Sequence, residues 1–154
     1  MKEREFSSKF RKELEDYYKY FNLPAHVQLI QDAPISGKKP YDAYIVAGKG
    51  KHRAIEFKVC KGATFNPNIV SDHQHVSLKS VVEAGGKSFV VILFEKFKTV
   101  AVIDYEEIPT HPVKYTGELW NWVGSTIIGR VKYKGLRTMY DFEKLGKNFL
   151  GVKL

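Results

Sequence analysis

The chain has 154 residues, of which 44% are hydrophobic and 14% aromatic, and it carries a net charge of +8. This composition excludes a disordered chain, and the length suits one domain, which we predict to span residues 1–154. No apolar run approaches the ~20 residues of a membrane span, and a single cysteine excludes an internal disulfide, so we expect a soluble protein of a reducing compartment.

The positive charge is concentrated in two blocks of the chain. Residues 37–62 and 130–154 each carry seven lysines and arginines against two acids. Such blocks indicate a polyanionic partner, of which nucleic acid is the commonest, although a solvated basic surface has the same composition.

The first predicted element is an amphipathic helix from Ser7 to Phe21. Aromatic and aliphatic residues recur at a spacing of three and four from Phe6 onwards, and residues 22–24 end the pattern. At about 100° per residue, Glu13 falls on the inward stripe of this helix. A buried acid is costly unless something binds it, so Glu13 is a candidate functional residue.

Hydrophobic alternation and turn residues predict the remaining elements. In chain order we expect strands at 27–30, 41–47 and 53–59, a helix at 72–84, strands at 88–94, 99–104 and 130–134, and a closing helix at 139–145. The strand at 88–94 is apolar on both faces, as in a central strand that is covered on both sides. The order predicts an α/β fold in which helices cover a mixed sheet.

The strand at 53–59 has two chemically different faces. Successive side chains alternate, so Ile55 and Phe57 share one face while Glu56 and Lys58 share the other. The preceding hairpin brings Asp42 beside this strand. Two carboxylates repel each other unless a cation lies between them, and such oxygen ligands suit Mg²⁺ or Mn²⁺. A cross-strand salt bridge on a solvated face is the alternative interpretation.

A cation at this position leads to a specific chemistry. With Asp42, Glu56 and the carbonyl of Phe57 as ligands, coordination positions remain open for water and a phosphate oxygen. Lys58 lies one strand step away, where it can orient or deprotonate the attacking water and stabilise charge on the phosphate. The pattern therefore predicts metal-assisted phosphodiester hydrolysis.

Two motifs establish a family resemblance. The run Pro40-Tyr41-Asp42, followed after thirteen residues by Glu56-Phe57-Lys58, resembles the PD-(D/E)xK nuclease signature. The segment that contains Asp72-His73-Gln74 and then Gly85-Gly86 resembles RecU-type Holliday junction resolvases, and the run 54–59 is similar to the shorter archaeal resolvases. The resemblance covers roughly residues 6–108. It implies a restriction-endonuclease-like mixed central sheet flanked by helices.

This resemblance implies a homodimer that uses Mg²⁺ to make paired nicks in four-way DNA junctions. Carried over residue by residue, it implies that Asp42 and Glu56 bind the metal and that Lys58 is the catalytic lysine. Gln74 becomes a catalytic helper near the phosphate or the nucleophilic water. The same resemblance implies the cytoplasm of a bacterial, archaeal or phage-infected cell.

The family also uses a glutamate of its first helix. We assign Glu13 to this role, as a metal ligand and catalytic residue, because it is the acid on the inward stripe. An alignment anchored on Phe6 and Phe10 places Ser7 there instead, and Glu5 is a further alternative.

The predicted DNA contacts come from the two basic blocks, which would touch the DNA backbone without sequence preference. They are Lys38, Lys39, Lys49, Lys51, Arg53, Arg130, Lys132 and Lys134. Trp120 and Trp122 lie in a stretch that we do not assign, and they either stack on bases or pack in a core or dimer interface.

Residues and resemblance together predict a metal-dependent Holliday junction resolvase. One alternative is a PD-(D/E)xK nuclease that acts on flaps, ends or single strands. A DNA-binding module of the same fold that no longer cuts is another. A zinc site at His73 and His75 is disfavoured, because residues two apart do not share one side of a helix and no second Cys/His pair completes the site.

Overall fold

A computed structural model of the protein describes residues 2–31, 39–114, 124–128, 131–133, 136–138 and 140–153. The α-helices in these ranges are α1 (Glu3–Tyr20), α2 (Asp72–Glu83) and α3 (Gly146–Leu150). The strands are β1 (Ala25–Leu29), β2 (Ala43–Ala47), β3 (Lys51–Cys60), β4 (Thr64–Phe65), β5 (Lys87–Phe94), β6 (Thr99–Asp104), β7 (Val113–Lys114), β8 (Ser125–Ile128), β9 (Val131–Tyr133) and β10 (Leu136–Thr138). Among the helices of the described ranges, none combines the length and the apolar character that crossing a membrane requires.

Six of the strands form one mixed sheet in the order β1-β2-β3-β5-β6-β8. β3 and β5 are parallel, and the other neighbours in this sheet are antiparallel. Parallel neighbours need a long crossover connection, and α2 lies within it. The prediction of an α/β fold in which helices flank a mixed central sheet is confirmed.

Separate hydrophobic cores cover the two faces of the sheet. On the face that α1 packs against, the buried residues include Phe10, Ile45, Phe57, Val91 and Phe149. On the α2 face they include Ala54, Leu78, Val90 and Ile103. β5 contributes side chains to both cores, which is why its residues 88–94 are all buried and why this run of sequence is apolar on both faces.

Most predicted elements are present, with shifted ends. Helix α1 begins at Glu3 rather than at Ser7, because the acids of its first turn suit the positive end of the helix dipole. The closing helix predicted at 139–145 differs most, since Phe142–Leu145 form a 3₁₀ turn and a short α-helix follows it. Gly146 joins the two with a φ of 63°, a backbone conformation that favours glycine.

An aromatic cluster joins α1 to the inner face of β3. Phe10 is fully buried, and its ring centroid lies 5.3 Å from that of Phe57 and 5.4 Å from that of Phe142. Phe6 packs edge-on against Phe57 at 5.5 Å. These contacts hold β3 from the face opposite to Glu56, so the strand that carries the charged residues is anchored by apolar packing.

We predict that Phe10→Ala lowers the free energy of unfolding by about 3–5 kcal/mol, because it removes the ring at the centre of this cluster and leaves a cavity. Equilibrium unfolding in urea measures the change. Val76→Ala on α2 is the control, since Val76 is 68% exposed and its truncation should change stability by less than about 0.5 kcal/mol. Equal losses in the two variants would contradict the packing described for Phe10.

Candidate active site

The candidate site forms where β3 continues past the end of β2. The pairing of the two strands ends at Ala43 and Ile55, so residues 56–60 of β3 have no β2 residue beside them. Two backbone N–H groups on this edge are bound by carboxylates instead. The Phe57 N–H donates to Asp42 Oδ2 at 2.8 Å, and the Val59 N–H donates to Glu3 Oε2 at 3.3 Å.

The functional side chains of β3 lie on the face that α2 covers. Glu56 is 1% exposed and Lys58 is 9% exposed. Lys58 Nζ lies 3.3 Å from Glu56 Oε2, and Gln74 Nε2 of α2 donates to the same oxygen at 2.9 Å. The structure therefore brings Asp42, Glu56, Lys58 and Gln74 together, and the interpretation as a solvated surface salt bridge is wrong because Glu56 is buried.

A capping box at the start of α2 positions Gln74. The Gln74 backbone N–H donates to Ser71 Oγ at 3.2 Å, and Gln74 Oε1 accepts from the Ser71 backbone N–H at 2.9 Å. This pairing is the standard reciprocal cap of a helix N-terminus. The amide group of Gln74 thus closes the helix cap with its oxygen and binds Glu56 with its nitrogen.

The Glu56 carboxylate lies in an environment that disfavours its negative charge. Burial, followed by the charge of Asp42, raises the pKa of Glu56 to about 8. Its Oε1 atom is buried and has no hydrogen-bond partner in the part of the chain that the structure describes. A buried acceptor without a partner is costly, and a cation bound to this oxygen would remove that cost.

The site opens into a cavity of about 610 Å³. Asp42, Glu56, Gln74 and Lys39 line one side, and residues of the α1 N-terminus line the other. Within the described ranges no group of three or more His, Cys, Asp and Glu residues could hold a metal ion. Two carboxylates with a main-chain carbonyl and water are nevertheless a donor set that suits Mg²⁺, which commonly takes only one or two carboxylates from a protein.

The α1 residues that reach the cavity differ from the predicted one. The cavity lining includes Glu3 and Ser7, which lie one helical turn apart, and it does not include Glu13. Glu13 is on the inward stripe as predicted, but it lies ten residues beyond Glu3, which is about 15 Å of helix rise. Glu3 was missed because the predicted helix begins at Ser7, whereas α1 begins at Glu3 itself.

The structure places the predicted DNA contacts at different sites. Lys39 lies at the cavity, where its Nζ is 3.1 Å from Asp42 Oδ1, and Lys49 and Lys51 are exposed at the β2–β3 turn. Arg53 requires a correction, because it is 7% exposed and lies on the α1 face of β3 with Ile55. Strand alternation alone would have indicated this burial.

Four of the predicted contacts and both tryptophans cannot be assigned side-chain positions. Lys38, Arg130, Lys134, Trp120 and Trp122 lie outside the described residues. Lys132 lies on β9, which is described by its backbone alone.

Cys60 is not suited to act as a nucleophile. Its side chain is buried, and burial followed by the nearby charge of Glu3 raises the pKa of its thiol to about 11. The reactive form of cysteine is the thiolate, so this residue stays protonated and inert near neutral pH.

The chain is similar to known proteins that act on DNA junctions or in recombination. A family model described as "Recombination protein U" (RecU) matches residues 18–118, a range that contains Asp42, Glu56, Lys58 and Gln74 and begins after Glu13. The 1.6 Å structure of Archaeoglobus fulgidus Hjc, a Holliday junction resolvase from an archaeal hyperthermophile, is similar with a TM-score of 0.46 and 14% identity. That match covers 66% of this chain and 85% of Hjc. No curated protein matches the sequence.

We predict that Ser71→Ala lowers the free energy of unfolding by about 1 kcal/mol, because it removes the side-chain acceptor of the α2 cap. Thermal or urea unfolding measures the loss. Ser80→Ala on the exposed side of the same helix is the matched control and should stay within about 0.5 kcal/mol of the unaltered chain. A Ser71→Ala variant as stable as the control would show that the cap does not hold Gln74.

Proposed function

Because this chain belongs to the RecU family, we propose that it is a metal-dependent DNA endonuclease that resolves Holliday junctions by paired nicks. The observation that supports this proposal best is the buried Glu56 carboxylate, which lies beside Asp42 and Lys58 at an open cavity. One of its oxygens has no hydrogen-bond partner among the residues that the structure describes. A purely structural ion pair would not need an open cavity beside it.

Asp42, Glu56 and the carbonyl of Phe57 are the proposed ligands of Mg²⁺, for which Mn²⁺ can substitute. When bound, the cation supplies a Lewis acid that polarises the scissile phosphodiester and offsets the charge of the two carboxylates. The N–H and C=O groups of one strand residue point to the same strand edge. The Phe57 carbonyl is therefore directed toward Asp42, which already accepts the Phe57 N–H.

Lys58 is the residue proposed to act on the reacting groups. Its side chain is largely buried, and its ion pair with Glu56 holds it on the α2 face of β3, next to a residue that lines the cavity. A positioned positive charge in a site with little water stabilises the negative charge that develops on the phosphate far better than a solvated charge does. Lys58 also lies where it can orient the attacking water. Gln74 keeps the Glu56 carboxylate in place for both tasks.

We propose Glu3, rather than Glu13, as the acid that α1 contributes. Glu3 lines the cavity and accepts a hydrogen bond from the Val59 N–H. This N–H lies on the same edge of β3 as the Phe57 N–H, which donates to Asp42. Glu3 acts here as a positioning residue that orders this edge and the water near it. Substitution of a residue that orients the groups around a metal site commonly lowers metal affinity or activity 10- to 100-fold.

Two copies of the chain are proposed to act on one junction. The described residues assemble one site of this kind, whereas resolution requires a nick in each of two strands, so a homodimer is the simplest assembly. Lys39 at the cavity and the exposed Lys49 and Lys51 are proposed to hold the DNA backbone. The contribution of Lys38, Arg130, Lys132 and Lys134 stays a prediction from the sequence.

We predict that Lys58→Ala abolishes nicking of a synthetic four-way junction in Mg²⁺ and leaves junction affinity nearly unchanged, because Lys58 acts on the scissile phosphate and not on DNA docking. Gel assays with the unaltered chain, in Mg²⁺ and in EDTA, measure both properties beside a linear duplex of matched sequence. Lys79→Ala, at an exposed position on α2, is the control for loss of a lysine.

Each outcome of this comparison separates the alternatives. Symmetric Mg²⁺-dependent nicks confined to the junction support a resolvase. Equal cutting of the linear duplex would keep the nuclease chemistry and reject junction selectivity. Tight binding without any nick would favour the DNA-binding module, and unchanged cutting by Lys58→Ala would reject the role of Lys58.

We predict that Glu3→Gln slows junction nicking by about tenfold or more and reduces the rise in melting temperature that Mg²⁺ produces. Glu13→Gln is the matched control, because it makes the same change on the same helix but away from the cavity lining. Nicking rates and melting curves across a Mg²⁺ titration measure the effects. A larger effect of Glu13→Gln than of Glu3→Gln would support Glu13 as the acid that α1 contributes.

A further inference from the structure

The α2 face of the sheet carries a cluster of aromatic rings on its first three strands. The register aligns His26 of β1 with Val46 of β2, and Val46 with His52 of β3. Tyr44 lies on the same face, one row closer to the active site. Helix α2 packs on β3 and β5, and these rings remain partly or fully exposed.

The rings lie close enough to form one continuous surface. The centroids of Tyr44 and His52 are 5.6 Å apart with their planes 24° from parallel, and the His26 ring lies 6.0 Å from Tyr44 on the other side. A contact of 3.1 Å between the Tyr41 hydroxyl and His52 Nε2 restricts the His52 ring. The His52 ring of this surface is therefore held in place before any ligand arrives.

The surface is aromatic, and a cation lies beyond each end of it. Burial, followed by the charge of Arg53, lowers the pKa of His52, so its ring is neutral near pH 7. Lys49 lies beyond one end at the hairpin turn, and Lys39 lies beyond the other at the cavity. An aromatic centre between basic ends matches the chemistry of a nucleic-acid strand, in which flat bases alternate with phosphates.

The same surface begins next to the active site. Tyr44 is two residues from Asp42 on one strand, which is about 7 Å by strand rise, and it lies on the same face as Glu56. A nucleotide adjacent to a phosphate held by the active site would therefore have its base within reach of the Tyr44 ring.

We infer that His26, Tyr44 and His52 form a stacking platform for one unpaired base of the DNA strand beside the scissile phosphate. This inference rests on the proposed function and adds the source of its selectivity. Bases of an intact duplex are stacked on their neighbours and do not reach such a surface, whereas a base at a branch point can leave its stack. The platform therefore favours branched DNA over linear duplex at a site where the phosphate contacts themselves are the same for both.

The test compares affinities for a four-way junction and a matched duplex, measured in EDTA so that no DNA is cut. Tyr44→Leu keeps an apolar side chain and removes the ring, and Tyr44→Phe keeps the ring. Tyr20→Ala, which removes a tyrosine that is 40% exposed on α1, is the control. We expect Tyr44→Leu to weaken junction binding about tenfold and to leave duplex binding unchanged, while the other two variants bind as the unaltered chain does.

A fluorescent base analogue gives a second measurement. The same junction carries 2-aminopurine at the branch point, and its fluorescence in the complex should be higher with Tyr44→Leu than with the unaltered chain, because the base loses its stacking partner. Thermal unfolding of each variant confirms that it is folded.

Four outcomes would overturn the inference. An unchanged junction affinity with Tyr44→Leu, or an equal loss for junction and duplex, would exclude base stacking. If light scattering showed that Tyr44→Leu is a monomer while the unaltered chain is a dimer, and the 2-aminopurine fluorescence did not change, this face would be an interface between copies. Absence of any DNA binding by the unaltered chain would reject both this platform and the proposed function. Junction-selective binding that depends on Tyr44, without nicking in Mg²⁺, would support the platform and reject the proposed cleavage alone.

Discussion

The site depends on the extra length of β3, which continues beside β5 after β2 has ended. A strand edge without a neighbour exposes backbone N–H groups that need acceptors. Asp42 and Glu3 supply two of these acceptors, so the backbone itself draws two acids toward one stretch of β3. The acidic character of the site thus follows from a backbone requirement as well as from any metal.

Because side chains alternate along β3, one face of the strand packs in the apolar core and the other carries the charged residues of the site. Phe57 packs into the aromatic cluster with Phe6 and Phe10, and this packing stabilises the strand. Glu56 and Lys58 face α2, and the buried Glu56 carboxylate lacks a partner for one oxygen in the described part of the chain. A charged group in such surroundings costs stability, which a rigid apolar layer on the opposite face can offset.

In the proposed function, the catalytic residues and the residues that select the substrate lie on different parts of the same strands. The carboxylates and Lys58 lie where β2 ends, and the aromatic rings lie further along β1, β2 and β3 toward the hairpin turn. Phosphate contacts cannot distinguish a branched strand from a duplex, because both present the same backbone. An exposed base can distinguish them, and a surface of aromatic rings beside the site suits that task.

The sequence by itself determined the class of the fold and predicted which polar residues of β3, its hairpin and α2 lie together at the candidate site. Alternation on β3, the hairpin that returns Asp42 to Glu56, and the helix that carries Gln74 are local patterns, and local patterns report which side chains share a face. Only the tertiary structure decided which acid of α1 reaches the cavity, because the hydrophobic pattern did not show that α1 begins at Glu3, four residues before the predicted start. It also decided that Gln74 is oriented by its own helix cap, since that bond depends on the rotamer of one side chain. The total charge of the chain similarly could not show which cations face solvent, because burial depends on packing against α1 and not on composition.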